Sequence, residues 1–178
     1  AAQRLVDHGV AYVDLEDFSP SLAALSTIRA EIAKRPFLAT LEKLIVPIRG
    51  RDETHVIAGW VHSGYETLIT ELMASNDFAS SLLFKGREGH TDPHPHRETP
   101  VMSRLGRSTA KTSAVDPSIL GEATPEDSDA DMSVDSVADR WRAVLSGEDT
   151  PGSRSVRLSV GTILYHLGAV ERVSDGVG

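Results

Sequence analysis

The chain has 178 residues, 40% hydrophobic and 5% aromatic, with no cysteine and a formal net charge of −8. That length suits one domain with appendages, and the missing cysteine rules out disulfides, thiolate nucleophiles and Cys-based zinc sites. The acidic balance, without clustered Lys or Arg, argues against binding nucleic acid by charge neutralisation.

The charge is unevenly spread. Residues 107–150 hold 4 basic and 10 acidic residues, while residues 151–178 hold 3 and 2. No apolar run reaches the roughly 18–20 residues that cross a bilayer, so no membrane span is expected. A secretory leader pattern is also absent from the first residues. Together with the lack of cysteine, this sets the expected location as the cytoplasm or the interior of a macromolecular particle.

In chain order, Val10–Leu15 predicts a short strand. Ser19-Pro20 signals a helix start, with Leu22, Leu25, Ile28 and Ile32 at helical spacing. A second helix is expected from Phe37 to Leu44, after Pro36 breaks the first. Leu44–Ile48 predicts an edge strand, because Pro47 removes a ladder donor. His55–Val61 predicts the next strand, antiparallel to the last. Ser63 is placed to cap a helix carrying Leu68, Ile69, Leu72 and Met73, and Phe78, Leu82 and Leu83 fit one more helical turn.

Near residue 85 the pattern changes. A His- and Pro-rich joint, residues 86–98, leads into a polar, Ser-rich stretch. From Asp116 to Asp139 there are eight acids and no Lys or Arg. Such a tract buries too little apolar surface to offset its chain entropy, so an extended arm is expected. Ser136–Asp139 resembles a capping box, opening a helix with Val137, Trp141, Val144 and Leu145 on one stripe. Pro151-Gly152 ends it, and Ser155–Val160 with Thr162–Leu167 predicts a hairpin. The final residues read as loose.

The expected class is therefore α+β: a small mixed sheet with helices packed on one face, then an acidic arm and a short helix plus hairpin. The expected divisions are residues 1–85, 86–135 and 136–178.

One cluster carries metal-binding residue types: His90, Asp92, His94 and His96. In an extended segment these alternate positions share a side, and imidazole with carboxylate suits a divalent metal. The same tract also reads as a solvated, Pro-stiffened loop, or as a pH-responsive surface. His55, His62 and Tyr65 flank the Trp60 strand, where strand ends present groups to a pocket.

His90-Thr91-Asp92 has the H-x-D form of the iron ligands in the Fe(II)/2-oxoglutarate oxygenases. His8–Val13 before a Ser-Pro helix resembles that family's opening, and Val156–Tyr165 resembles the strand pair near its distal histidine. This resemblance implies iron held by His90, Asp92 and His166. The chain keeps the pattern in part, with Glu171 where the distal histidine usually stands.

The reading these features favour is a non-catalytic interaction or assembly protein without a cofactor. Its partners would be a second copy or other subunits, met through Trp60, Tyr65, Val137, Trp141 and Val144. The alternative is a metal-dependent enzyme built on His90, Asp92 and a third ligand from His94, His96 or His166.

Overall fold

The structure, a computed structural model, describes residues 2–32, 42–86, 89–121 and 133–178. The chain forms two compact units, residues 1–54 and 55–178. The expected divisions at 85 and 135 both fall inside the second unit. The expected helix at 37–44 lies outside the described residues, apart from a 3-10 turn at Glu42–Leu44.

The first unit carries four short α-helices among its described residues: α1 (Ala2–His8), α2 (Leu15–Phe18), α3 (Pro20–Ala23) and α4 (Ser26–Ile32). Ser19-Pro20 starts a helix as expected, with Pro20 at its first position. The strand expected at Val10–Leu15 is absent. The Asp14 carboxylate accepts the Glu16 amide at 2.8 Å and caps α2 instead, a local bond that competes with strand formation. The strand expected at Leu44–Ile48 is also replaced, by the 3-10 turn and irregular chain.

The second unit carries one four-stranded mixed sheet in the order β1-β2-β3-β4. Its strands are β1 (His55–Gly59), β2 (Ser80–Phe84), β3 (Thr99–Leu105) and β4 (Lys111–Val115). β1 and β2 run parallel, joined by the crossover helix α5 (Tyr65–Ser75). β3 and β4 follow antiparallel. The remaining helices are α6 (Val134–Leu145) and α7 (Pro151–His166).

The α+β class with a small mixed sheet is as expected, but helices cover both faces of the sheet. Side chains alternate across a strand. Leu82 and Phe84 of β2, Val101 of β3 and Val115 of β4 meet Leu158 of α7. The opposite face meets α5: the Thr70 hydroxyl donates to Met102 Sδ, and Glu71 pairs with Arg104 at 3.1 Å.

Phe78, Leu82 and Leu83 do not continue a helix, because Ser80–Phe84 is the fully buried strand β2. Strands buried on both faces read as unbroken apolar runs rather than alternating ones. The stretch expected to be arm is structured up to residue 121. It forms β4, then a 3-10 turn at Pro117–Leu120 capped by Asp116, and residues 122–132 lie outside the described residues. The hairpin expected at 155–167 is the single helix α7.

Pro151 does not end a helix; it stands at the start of α7, where the Thr150 and Ser153 side chains form a reciprocal capping box. The buried stripe of α7 includes Ser155, Leu158 and Thr162, spaced three and four apart. Most of these residues are polar or small, so apolar counting misses the helical period. The C-terminal residues, expected to be loose, pack on this helix. The Arg157 side chain donates to the Val177 carbonyl at 2.7 Å, a Cβ on Gly161 would overlap the Val173 carbonyl oxygen and Val177 Cγ1, and one on Gly176 would overlap Gly161 Cα. No helix among the described residues is long and apolar enough to cross a membrane.

Candidate functional site

The two parallel strands point their carboxyl ends to one edge of the sheet, where open α/β sheets place their ligand crevices. β1 ends at Gly59 and continues through Trp60–Gly64 into α5, and β2 ends at Phe84 and continues into the His- and Pro-rich connection to β3. Trp60 is buried and donates its backbone N–H to the Phe84 carbonyl at 2.9 Å. Its indole N–H is also buried, with no acceptor among the described residues. A buried donor left unmet costs about 1–3 kcal/mol.

The N-terminus of α5 adds to this edge. Its cap is Gly64 in the left-handed region (φ 92°), with no side-chain hydrogen bond. Several N–H groups of the first turn are thus left without a side-chain acceptor, and they carry the positive end of the helix dipole. Lys85 donates its ammonium to the Ser63 hydroxyl at 3.4 Å, beside this terminus. Glu66, in the first turn, is the local counter-charge. Ser63 does not cap the helix as expected; it lies one residue before the cap and holds the lysine. The His62 and Tyr65 rings pack 5.9 Å apart where this loop enters α5.

The connection from β2 to β3 folds back on the end of β1. A Cβ on Gly59 would overlap the carbonyl oxygens of Gly89 and His90, and one on Gly86 would overlap that of His90. These two glycines let backbone lie against backbone. Thr91 is held from α7, whose Ser159 hydroxyl donates to its carbonyl at 2.7 Å. Thr99 accepts the His94 amide at 2.7 Å.

This geometry decides the histidine tract. Pro93 and Pro95 are fully buried and anchor it, while His90 and His96 are exposed. The four alternate side chains therefore do not converge on one point as an extended segment requires. The His94 and His96 rings lie with their centroids 6.3 Å apart. Among the described residues no three His, Asp or Glu side chains group closely enough to hold a metal ion together.

His166 is not near the tract. It ends α7 and lies 2.8 Å from the Ser80 hydroxyl, at the amino end of β2. The tract follows the carboxyl end of the same strand, roughly 13 Å away at about 3.3 Å per residue. The iron triad of His90, Asp92 and His166 is thereby corrected. The strand pair on which that resemblance rested is helix α7. Burial lowers the pKa of His166 below its ordinary value, and the nearby charge of His55 adds to this.

An open groove of about 400 Å³ runs along the same carboxyl edge, between His96–Glu98 and the Asp116–Gly121 turn. The Asp116 carboxyl lies below its usual range because the Ser118 hydroxyl and amide donate to it. Behind the turn, buried Arg154 (5% exposed) donates to the Leu120 and Gly121 carbonyls at 3.1 and 2.8 Å.

Of the residues expected to meet a partner, Trp60 is buried, and Tyr65, Val137 and Val144 are half-buried. Trp141 is 51% exposed. Sequence reasoning missed Lys85, Ser63, Ser80 and Arg154. The one available signal was the Lys-Gly pair directly after the apolar run Leu82–Phe84.

No family model matches the chain. A protein of Aquifex aeolicus, described as uncharacterized, is 27% identical over 174 residues, 97% of this chain and 54% of that protein. Among solved structures, the chain is similar to the anthranilate phosphoribosyltransferase (TrpD) of Thermus thermophilus. The TM-score is 0.73 at 19% identity, covering 98% of this chain and 51% of the enzyme. The chain thus spans about half the length of each, and it shares the fold of the matching half of that phosphoribosyltransferase.

Proposed function

We propose that this chain is a ligand-binding part of a protein built on the phosphoribosyltransferase fold, and that its carboxyl edge receives a phosphorylated ligand. One observation carries the reading: the Lys85 ammonium is held at Ser63, beside the N-terminus of α5, which has no side-chain cap. A cation, a hydroxyl and a helix N-terminus together form a phosphate-binding arrangement. The likeness to a phosphoribosyltransferase makes a phosphoribosyl group with its pyrophosphate the natural first ligand to test.

The test is titration of inorganic pyrophosphate and of phosphoribosyl pyrophosphate into the chain, followed by calorimetry. Saturable binding is expected, weakened about tenfold or more by Lys85→Ala, since a hydrogen bond to a charged group contributes about 1.5–3 kcal/mol. Equal affinity in wild type and Lys85→Ala, or no saturation at millimolar ligand, would overturn the reading. The His90/Asp92/His166 triad is set aside, because His166 lies at the opposite edge of the sheet from His90 and Asp92.

Self-association remains a second reading, now supported by α6 alone. Val134, Trp141 and Leu145 share one face of this helix, and they are 84%, 51% and 82% exposed. An apolar stripe of this kind is suited to a second copy of the same helix. A solution mass near twice that of one chain is expected, falling to a single chain for Trp141→Glu. A wild-type chain that stays monomeric at high micromolar concentration would remove this reading.

A further inference from the structure

The amino edge of the sheet holds a second cluster, remote from the phosphate site and independent of it. Ser80, the first residue of β2, is only 3% exposed. Its hydroxyl lies 2.8 Å from His55 Nδ1, on the first residue of β1, and 2.8 Å from His166 Nε2, on the last residue of α7. Two imidazole nitrogens from separate elements are aimed at one point.

The hydroxyl has a single proton, so it donates to at most one of the two rings. The two 2.8 Å contacts place the nitrogens no more than 5.6 Å apart. A tetrahedral metal ion, with bonds of about 2.0–2.1 Å to each imidazole, needs them about 3.3 Å apart. His55 is exposed at the sheet edge, where its ring has room to swing through that difference. Ser80 would then supply a weak oxygen ligand, and water the remaining positions. No third His, Asp or Glu joins the pair among the described residues.

We propose that His55 and His166 form a two-imidazole site for a borderline divalent cation such as Zn²⁺, Ni²⁺ or Cu²⁺, bridging the end of α7 to the start of β1. Ligands of this type disfavour Mg²⁺ and Ca²⁺, which take oxygen donors. Bound metal would cross-link helix and sheet, and so favour the folded state by mass action. It would also brace α7, the element that holds Thr91, Leu120 and Gly121 at the opposite edge.

The experiment is titration of the untagged full chain with Zn²⁺, read both by calorimetry and by the shift in thermal midpoint. Binding of one ion per chain is expected, with a raised midpoint. His55→Ala and His166→Ala should each weaken binding by roughly tenfold or more and abolish the shift. The triple variant His90→Ala/His94→Ala/His96→Ala should bind as wild type does, and Mg²⁺ should have no effect. Loss of binding in that triple variant alone, undiminished binding in both single variants, or no binding to the wild-type chain would each overturn the proposal.

Discussion

Phe84→Ala is expected to destabilise the second unit by about 3–5 kcal/mol, the usual cost of emptying a fully buried aromatic site. Phe84 has no exposed surface and packs with Leu82, Val101, Val115 and Leu158. It is also the last residue of β2, paired with Gly59 on one side and Val101 on the other. The cavity would therefore open where both parallel strands deliver their loops. Small domains are stable by about 5–15 kcal/mol in total, so the variant should be partly unfolded under mild denaturant. Urea unfolding monitored by far-UV circular dichroism measures this. A loss below about 1 kcal/mol would mean that Phe84 is not the centre of this core.

Gly59→Ala should cost less stability but more function. The added methyl would overlap the Gly89 and His90 carbonyls, and those atoms are backbone, which cannot rotate away. Overpacking of this kind costs about 1–3 kcal/mol, and the cheapest relief is to push the Gly89–Asp92 segment off the sheet. Pyrophosphate binding at the carboxyl edge should then fall much further than stability does. Gly152→Ala provides the control: a Cβ there makes only ordinary contacts, at 3.5 Å and beyond. Calorimetry beside urea unfolding, on both variants, separates the two effects. Wild-type affinity in Gly59→Ala would show that the folded-back connection is not needed for the ligand.

Both variants probe positions whose importance lies outside their local sequence. Phe84 belongs to an apolar run, Leu82-Leu83-Phe84, which fits a buried helix turn as well as a buried strand. Its strand identity comes from pairing with β1 and β3. Gly59 follows four strand-forming residues and looks like the end of a strand. Its need to be glycine arises from a loop about thirty residues later.

The histidines divide in the same way. Composition made the tract from His90 to His96 stand out, yet around its two buried prolines His90 and His96 are exposed while the His94 ring is partly buried. His55 and His166 stood apart in the chain and met only when α7 crossed the sheet.

The chain's own residues determined the strand at His55–Gly59, the helix carrying Ile69 and Met73, the Ser19-Pro20 helix start and the amphipathic α6. They also determined the α+β class. Each of these rests on periodicity or capping within about a dozen residues, a range over which short contacts set backbone preference. Tertiary structure alone decided that β2 is a strand and that residues 111–115 join the sheet. It also decided that the polar stripe of α7 is buried, and that Lys85 and Ser63 share one edge while His55, Ser80 and His166 share the other. The two edges depend on contacts between residues 22 to 86 positions apart, whose energies appear only when the chain closes on itself.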